Sequence, residues 1–203
     1  MTKGLMLKNS IIALFLAIFT IESIGQSSKK IALFVMDVQE NLVNPNSRIH
    51  IDTTGINLFL GNINNTISKF RNNGDEVIYI VNEWTNPIQN WMTGNVCKKG
   101  GFGVGFDKRL LVINDNIYPK TEPNALSNKE LLKHLKENDI TEIYIVGLLA
   151  EGCVKATVKG LIMEKINVVV FDDALGSKNK NNKNAVLQYF SKHNIRTINT
   201  NEL

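Results

Sequence analysis

Two cysteines occur in the 203-residue chain, and one of them, Cys153, sits where a thiol can do chemistry. It follows the apolar run Glu142 to Val146 (EIYIV), behind Gly152, at the expected first turn of a helix in the stretch GLLAEGCVKAT. A free thiol has a pKa of about 8.5, and a helix N-terminus or a nearby cation lowers it toward the reactive thiolate. First-turn amides without a helical partner also suit the negative oxygen of a tetrahedral intermediate. Such a thiol needs a base that takes its proton and later gives it to a leaving group. Three histidines are present. His134 falls among the leucines of an amphipathic segment, His193 ends the last expected helix, and only His50, in the loop after the first strand, could reach Cys153. Asp37 is better placed, at the end of the buried run Lys30 to Val38 (KIALFVMDV), and Lys120 closes the segment IYPK. A carboxylate to accept a proton, an ammonium to stabilise a thiolate and a thiol to attack make a hydrolytic set. Each alone has an ordinary use, in a turn or facing solvent.

These residues meet only if the elements that carry them share one sheet. The run at Lys30 has the near-continuous apolar pattern of a strand buried on both faces. Thr53 or Thr54 can then cap a helix whose Ile56, Leu60, Ile63, Ile67 and Phe70 form one face, ended by Asn72, Asn73 and Gly74. A second strand spans Glu76 to Trp84 (EVIYIVNEW). The glycine-rich stretch from Thr85 to Asp107, with GGFGVGF, reads as a flexible wall or lid. It does not run from a strand into a helix, so it is not a phosphate loop. LLVINDNIYPK holds one or two short strands. Ser127 with Glu130 predicts a capping box for a helix burying Leu131, Leu132 and Leu135. EIYIV follows, then a helix from Gly152 to Lys165, the strand Asn167 to Ala174 (NVVVFDDA), a helix from Asn182 to His193 and the strand RTINT. Strands separated by helices imply βαβ crossovers, hence an α/β fold of three layers, α/β/α, around a mostly parallel sheet. Sites in such folds lie beyond the carboxyl ends of the strands, where Asp37, Trp84, Lys120 and Cys153 all fall. Asp172 and Asp173 are assigned to turn or capping duty.

Residues 1–25 stand apart. Lys3 and Lys8 precede a run from Ile11 to Ile21 that is apolar except for Thr20, and Ser23, Ile24 and Gly25 supply a cleavage site. This is the pattern of a secretory signal peptide, with the mature domain at residues 26–203 and export to periplasm or medium. The apolar run is roughly half the 20 or so residues that a membrane span requires. An oxidising compartment opens an alternative in which Cys97 and Cys153 form a disulfide in a non-catalytic binding protein. The net charge of +4 comes from scattered lysines mixed with acids, without the basic stripe of a nucleic-acid binder.

ALFVMDVQENL (Ala32 to Leu42), YPKTEPNAL (Tyr118 to Leu126), and IVGLLAEGCVKATVKGL (Ile145 to Leu161) with VVVFDDALGS resemble, in that order, the isochorismatase-like cysteine hydrolases. The resemblance implies an Asp, Lys, Cys triad at Asp37, Lys120 and Cys153, and a cis peptide between Leu148 and Leu149 that helps aim the Leu149 and Cys153 amides at the substrate oxygen. It implies hydrolysis of a small amide-like substrate at a C–N bond through a thioester. The alternative within the family is ether hydrolysis of the isochorismatase type, which relies more on the acid than on the thiol. Nicotinamidases hold a metal through an Asp-x-His arrangement after the second strand; here that place reads VNEWTNPIQNW, with no histidine, so neither metal nor cofactor is expected. Ala150-Glu151 stands where relatives carry Thr-Asp. Trp84 is expected to line the substrate pocket, and a homo-oligomer is compatible with this reading.

Overall fold

The computed structural model describes residues 29–49, 51–52 and 54–203; the expected leader, His50 and Thr53 lie outside the described residues. Six strands form the centre: β1 (Lys30–Met36), β2 (Glu76–Asn82), β3 (Ile117–Lys120), β4 (Ile140–Gly147), β5 (Asn167–Leu175) and β6 (Arg196–Ile198). Their order is β3-β2-β1-β4-β5-β6 and every pairing is parallel. The helices are α1 (Glu40–Val43), α2 (Ile56–Asn73), α3 (Pro87–Thr93), α4 (Lys129–Glu137), α5 (Lys155–Met163) and α6 (Lys180–Lys192).

Alternation along β1 divides the core into two layers. Ala32, Phe34 and Met36 pack with Leu131 and Leu135 of α4, Val158 and Leu161 of α5, and Val186 and Phe190 of α6. Leu33 and Val35 face the other way, onto Leu60, Ile63, Ile67 and Phe70 of α2. The inner strands β1, β2, β4 and β5 are largely apolar because both faces of the sheet are covered, which is the expected three-layer α/β/α architecture.

Helix termini depart from expectation. The N-cap of α2 is Gly55 (φ 80°) with no side-chain cap, while the Thr54 amide donates to Asp52 Oδ1 at 2.9 Å. The chain enters the helix through a left-handed residue, so the threonine is one position too early to cap it. The predicted stop does hold: the Gly74 amide (φ 77°) donates to the Phe70 and Arg71 carbonyls. Asn128, not Ser127, caps α4, its Oδ1 accepting from the amides of Glu130 and Leu131 at 2.9 and 3.1 Å. Ser127 is occupied in a short 3-10 turn, Ala125–Ser127.

The glycine-rich stretch is anchored rather than loose. Asn41 Nδ2 donates to the carbonyls of Val96 (3.1 Å) and Phe102 (2.6 Å), and the Glu40 and Asn41 amides donate to Gly105 and Gly103 at 2.9 Å each. Gly103 (φ 71°) allows that approach, since a Cβ there would stand 2.2 Å from Asn41 Oδ1.

Candidate active site

Three strand ends and one turn converge. Asp37 directly follows β1 in the left-handed region (φ 58°), its amide donating to the Ile80 carbonyl at 2.9 Å, so β1 stops its alternation at this residue. Lys120 is the last residue of β3 and is 2 % exposed. Its Nζ lies 3.1 Å from Asp37 Oδ2 and donates to Asn82 Oδ1 at 2.5 Å and Cys153 Sγ at 3.2 Å. An ammonium has three hydrogens, so these three neighbours use it fully. Apart from Lys120 and the Cys153 thiol, nothing among the described residues hydrogen-bonds the buried Asp37 carboxylate. Asp37, Lys120 and Cys153, drawn from positions 116 residues apart at the extremes, are therefore brought together.

Cys153 does not occupy the first turn of an α-helix. It lies in a single π-helical turn, Ala150–Val154, in which Gly152 (φ −112°, ψ −105°) breaks the helical path before α5 starts at Lys155. The residue stays half-buried. Burial pushes the Cys153 thiol up to about 12 and the Asp37 charge adds to this, while Lys120 offsets only part. Burial and the Asp37 charge thus both favour the neutral thiol, and the Lys120 ammonium opposes them. For Lys120, burial works against the charged form, but the Asp37 charge beside it prevails and raises its pKa above the ordinary lysine value. It stays an ammonium.

The turn before Cys153 contains the cis peptide Leu148–Leu149. The Leu148 amide donates to the Met36 carbonyl at 3.0 Å and the Ala150 amide to the Gly176 carbonyl at 2.8 Å, whereas the Leu149 amide donates to no acceptor among the described residues. Gly147 (φ 115°) makes the approach to β1 feasible, because a Cβ there would stand 2.1 Å from the Met36 carbonyl oxygen. Glu151 reaches back to the loop after β5, accepting from Ser177 Oγ (2.8 Å), the Lys178 amide (3.1 Å) and Asn182 Nδ2 (3.0 Å). Burial disfavours its charge, but these hydrogen bonds prevail and its pKa lies below the ordinary glutamate value.

Trp84, half-buried just past β2, donates from Nε1 to Asn82 Oδ1 at 3.3 Å. Trp91 is 78 % exposed and takes no part in the core. His134 pairs with Glu76 Oε1 at 2.5 Å at the amino end of β2, and His193 Nδ1 lies 2.8 Å from the Tyr189 carbonyl on α6; neither joins the site. Asp172 and Asp173 lie inside β5 rather than in a turn: Asp172 pairs with Lys183 at 2.9 Å, and Asp173 accepts from Asn62 and from the amide and hydroxyl of Thr200. Both cysteines are free, so the disulfide alternative is not realised: Cys97 is wholly buried, its thiol pushed up to about 12 chiefly by burial and then by the Asp37 charge. Among the described residues, no group of three or more His, Cys, Asp or Glu could hold a metal, and no helix is long and apolar enough to cross a membrane.

Two buried residues escaped the sequence reading. Gln39 Oε1 accepts from the Asn82 amide (2.8 Å), and Gln39 Nε2 donates to the carbonyls of Asn82 (3.0 Å) and Val104 (2.5 Å). Asn82 was visible only as the polar residue in an apolar run; nothing in its spacing indicates Lys120 as its partner.

The chain matches the model of the isochorismatase domain over residues 31–202. Among curated proteins, no sequence matches it. Among solved structures, it is similar to an isochorismatase family protein from Desulfovibrio vulgaris (TM-score 0.77, 17% identity, covering 86% of this chain and 96% of that one). It is similar to a nicotinamidase from Bacillus subtilis (0.72, 21%, 83% and 98%). It is also similar to an N-carbamoylsarcosine amidase from Thermoplasma acidophilum (0.74, 21%, 86% and 98%).

Proposed function

The chain belongs to the isochorismatase family of hydrolases, and from that premise we propose that it is a cysteine hydrolase cleaving the C–N bond of a small amide-like substrate. The observation that carries the reading is the placement of one ammonium, Lys120 Nζ, against both a carboxylate with unused lone pairs and a thiol. The Cys153 proton passes to Asp37 as sulfur attacks the carbonyl carbon, so the thiolate exists only while a bond is forming. The oxygen takes up negative charge beside the Leu149 and Cys153 amides. When the tetrahedral species collapses, the C–N bond breaks and the Asp37 proton leaves on the amine, giving a thioester. Water, deprotonated by Asp37, adds to that thioester; the acid departs and the proton returns to sulfur. Lys120, its hydrogens already shared, holds the other two groups in register and balances their charge without transferring a proton. Trp84 forms one wall for a planar substrate.

Two of the similar structures bear amidase names, which supports the C–N assignment. The raised thiol pKa favours a second reading, ether hydrolysis of the isochorismatase type, which relies more on the acid than on the thiol. Assay of Cys153→Ala on small amides and vinyl ethers, with mass spectrometry for an acyl adduct on Cys153, separates them: the amidase route loses all turnover and the adduct, and the ether route keeps its turnover. The leader pattern of residues 1–25 supports export, checked by the N-terminal sequence of the protein recovered from periplasm and medium.

A further inference from the structure

We propose that Asn82 is a positioning residue for the Cys153 thiol, acting through Lys120 and itself held by Gln39; the proposal rests on reading Cys153 as the nucleophile. A buried ammonium with one hydrogen unshared carries a desolvation cost, so the third hydrogen of Lys120 must go to some acceptor. The other two face Asp37 and Cys153, and Asn82 Oδ1, at 2.5 Å, receives the third.

The choice of an amide oxygen has electrostatic meaning. A second carboxylate at this point would attract Lys120 equally well but would press the thiol further toward its neutral form, as the Asp37 charge already does. A neutral acceptor fixes the ammonium without that effect. Orientation of the amide is settled by its neighbours: two donors, Lys120 Nζ and Trp84 Nε1, meet the same atom, so that atom is the oxygen. The main chain of Asn82 is held with equal care. Gln39, two residues after Asp37, binds both its amide and its carbonyl, as a neighbouring strand would. One asparagine thus ties the indole expected to face substrate to the ammonium facing the nucleophile.

The test is the pH dependence of iodoacetamide alkylation at Cys153 in the full mature chain, read by peptide mass spectrometry, with melting temperature measured alongside. Asn82→Asp keeps the shape and adds a charge; its profile is expected to move to higher pH by about one unit, so that alkylation at pH 8 slows about tenfold. Asn82→Ala releases Lys120 and is expected to move the profile in the same direction. A purely structural role lowers both melting temperatures and leaves both profiles in place, and that result overturns the proposal. Should Asn82→Ala not fold, the near-isosteric Asn82→Asp decides alone. Alkylation needs no substrate: a shifted profile in a protein that hydrolyses no amide retains the positioning role and removes the amidase reading. An unmoved profile with amide turnover lost in Cys153→Ala does the reverse.

Discussion

Lys120 Nζ lies 3.1 Å from Asp37 Oδ2 with both side chains shut off from solvent. Removing one partner of such a pair strands the other charge in the interior, at a cost of about 3–5 kcal/mol. Lys120→Met is therefore expected to lower stability by that amount in urea unfolding and to abolish turnover. The double variant Asp37→Asn/Lys120→Met should recover most of the stability and none of the activity, because an interior without either charge is well tolerated but has no base.

The Asp37 charge raises the Cys153 pKa, while the proposed mechanism also makes Asp37 its proton acceptor. These roles separate in Asp37→Asn. Alkylation of Cys153 at pH 8 should become faster in this variant, since the charge that opposes the thiolate is gone, while amide hydrolysis should fall by at least about a hundredfold for want of a base. Slower alkylation together with lost hydrolysis would contradict the electrostatic account.

The raised thiol pKa also acts on folding. The sulfur of Cys153 is neutral in the fold up to a pKa of about 12 against 9.0 ordinarily, so its contribution to stability is complete below pH 9 and is lost as pH rises toward 12. Cys153→Ala should flatten this alkaline decline in melting temperature, with Cys97, whose pKa is raised likewise, supplying the residual slope.

Two glycines make opposite predictions. Gly147→Ala would place a methyl group 2.1 Å from the Met36 carbonyl oxygen at φ 115°, and the variant is expected to be insoluble. Gly61, inside α2, has nothing within 4 Å of its would-be Cβ, so Gly61→Ala should raise stability by about 0.5–1 kcal/mol in thermal melts.

Glu151 braces the turn that carries Cys153, and its lowered pKa means that the brace is intact above the ordinary glutamate pKa and weakens as pH falls through the lower folded value. Glu151→Ala should cost about 1–2 kcal/mol at pH 7, discounted for its partial exposure, and the difference from the parent should shrink as pH falls below the ordinary glutamate pKa.

Local patterns carried most of the fold. The apolar runs beginning at Lys30, Glu76, Glu142 and Asn167 are strands because both their faces are covered, and the spacing from Ile56 to Phe70 is one helical face. Cap positions were less legible, since Thr54 and Ser127 are suitable residue types displaced by one position from where the chain turns. Asp37, Lys120 and Cys153 were accessible because each closes or follows a strand. Asn82 and Gln39 were not, because they meet across 43 positions and their side chains act on main-chain groups or on one lysine hydrogen. The balance of charge at the sulfur is hard to read for a similar reason: a cation and a helix end follow from residue types, but the burial that opposes them does not.

The two outermost strands are the shortest, β3 with four residues and β6 with three. A long flat border would offer another chain a ladder of open amides and carbonyls on which to extend the sheet. Here the border ends after little more than a turn's length on either side. A neighbouring copy thus finds few groups on which to pair at either border.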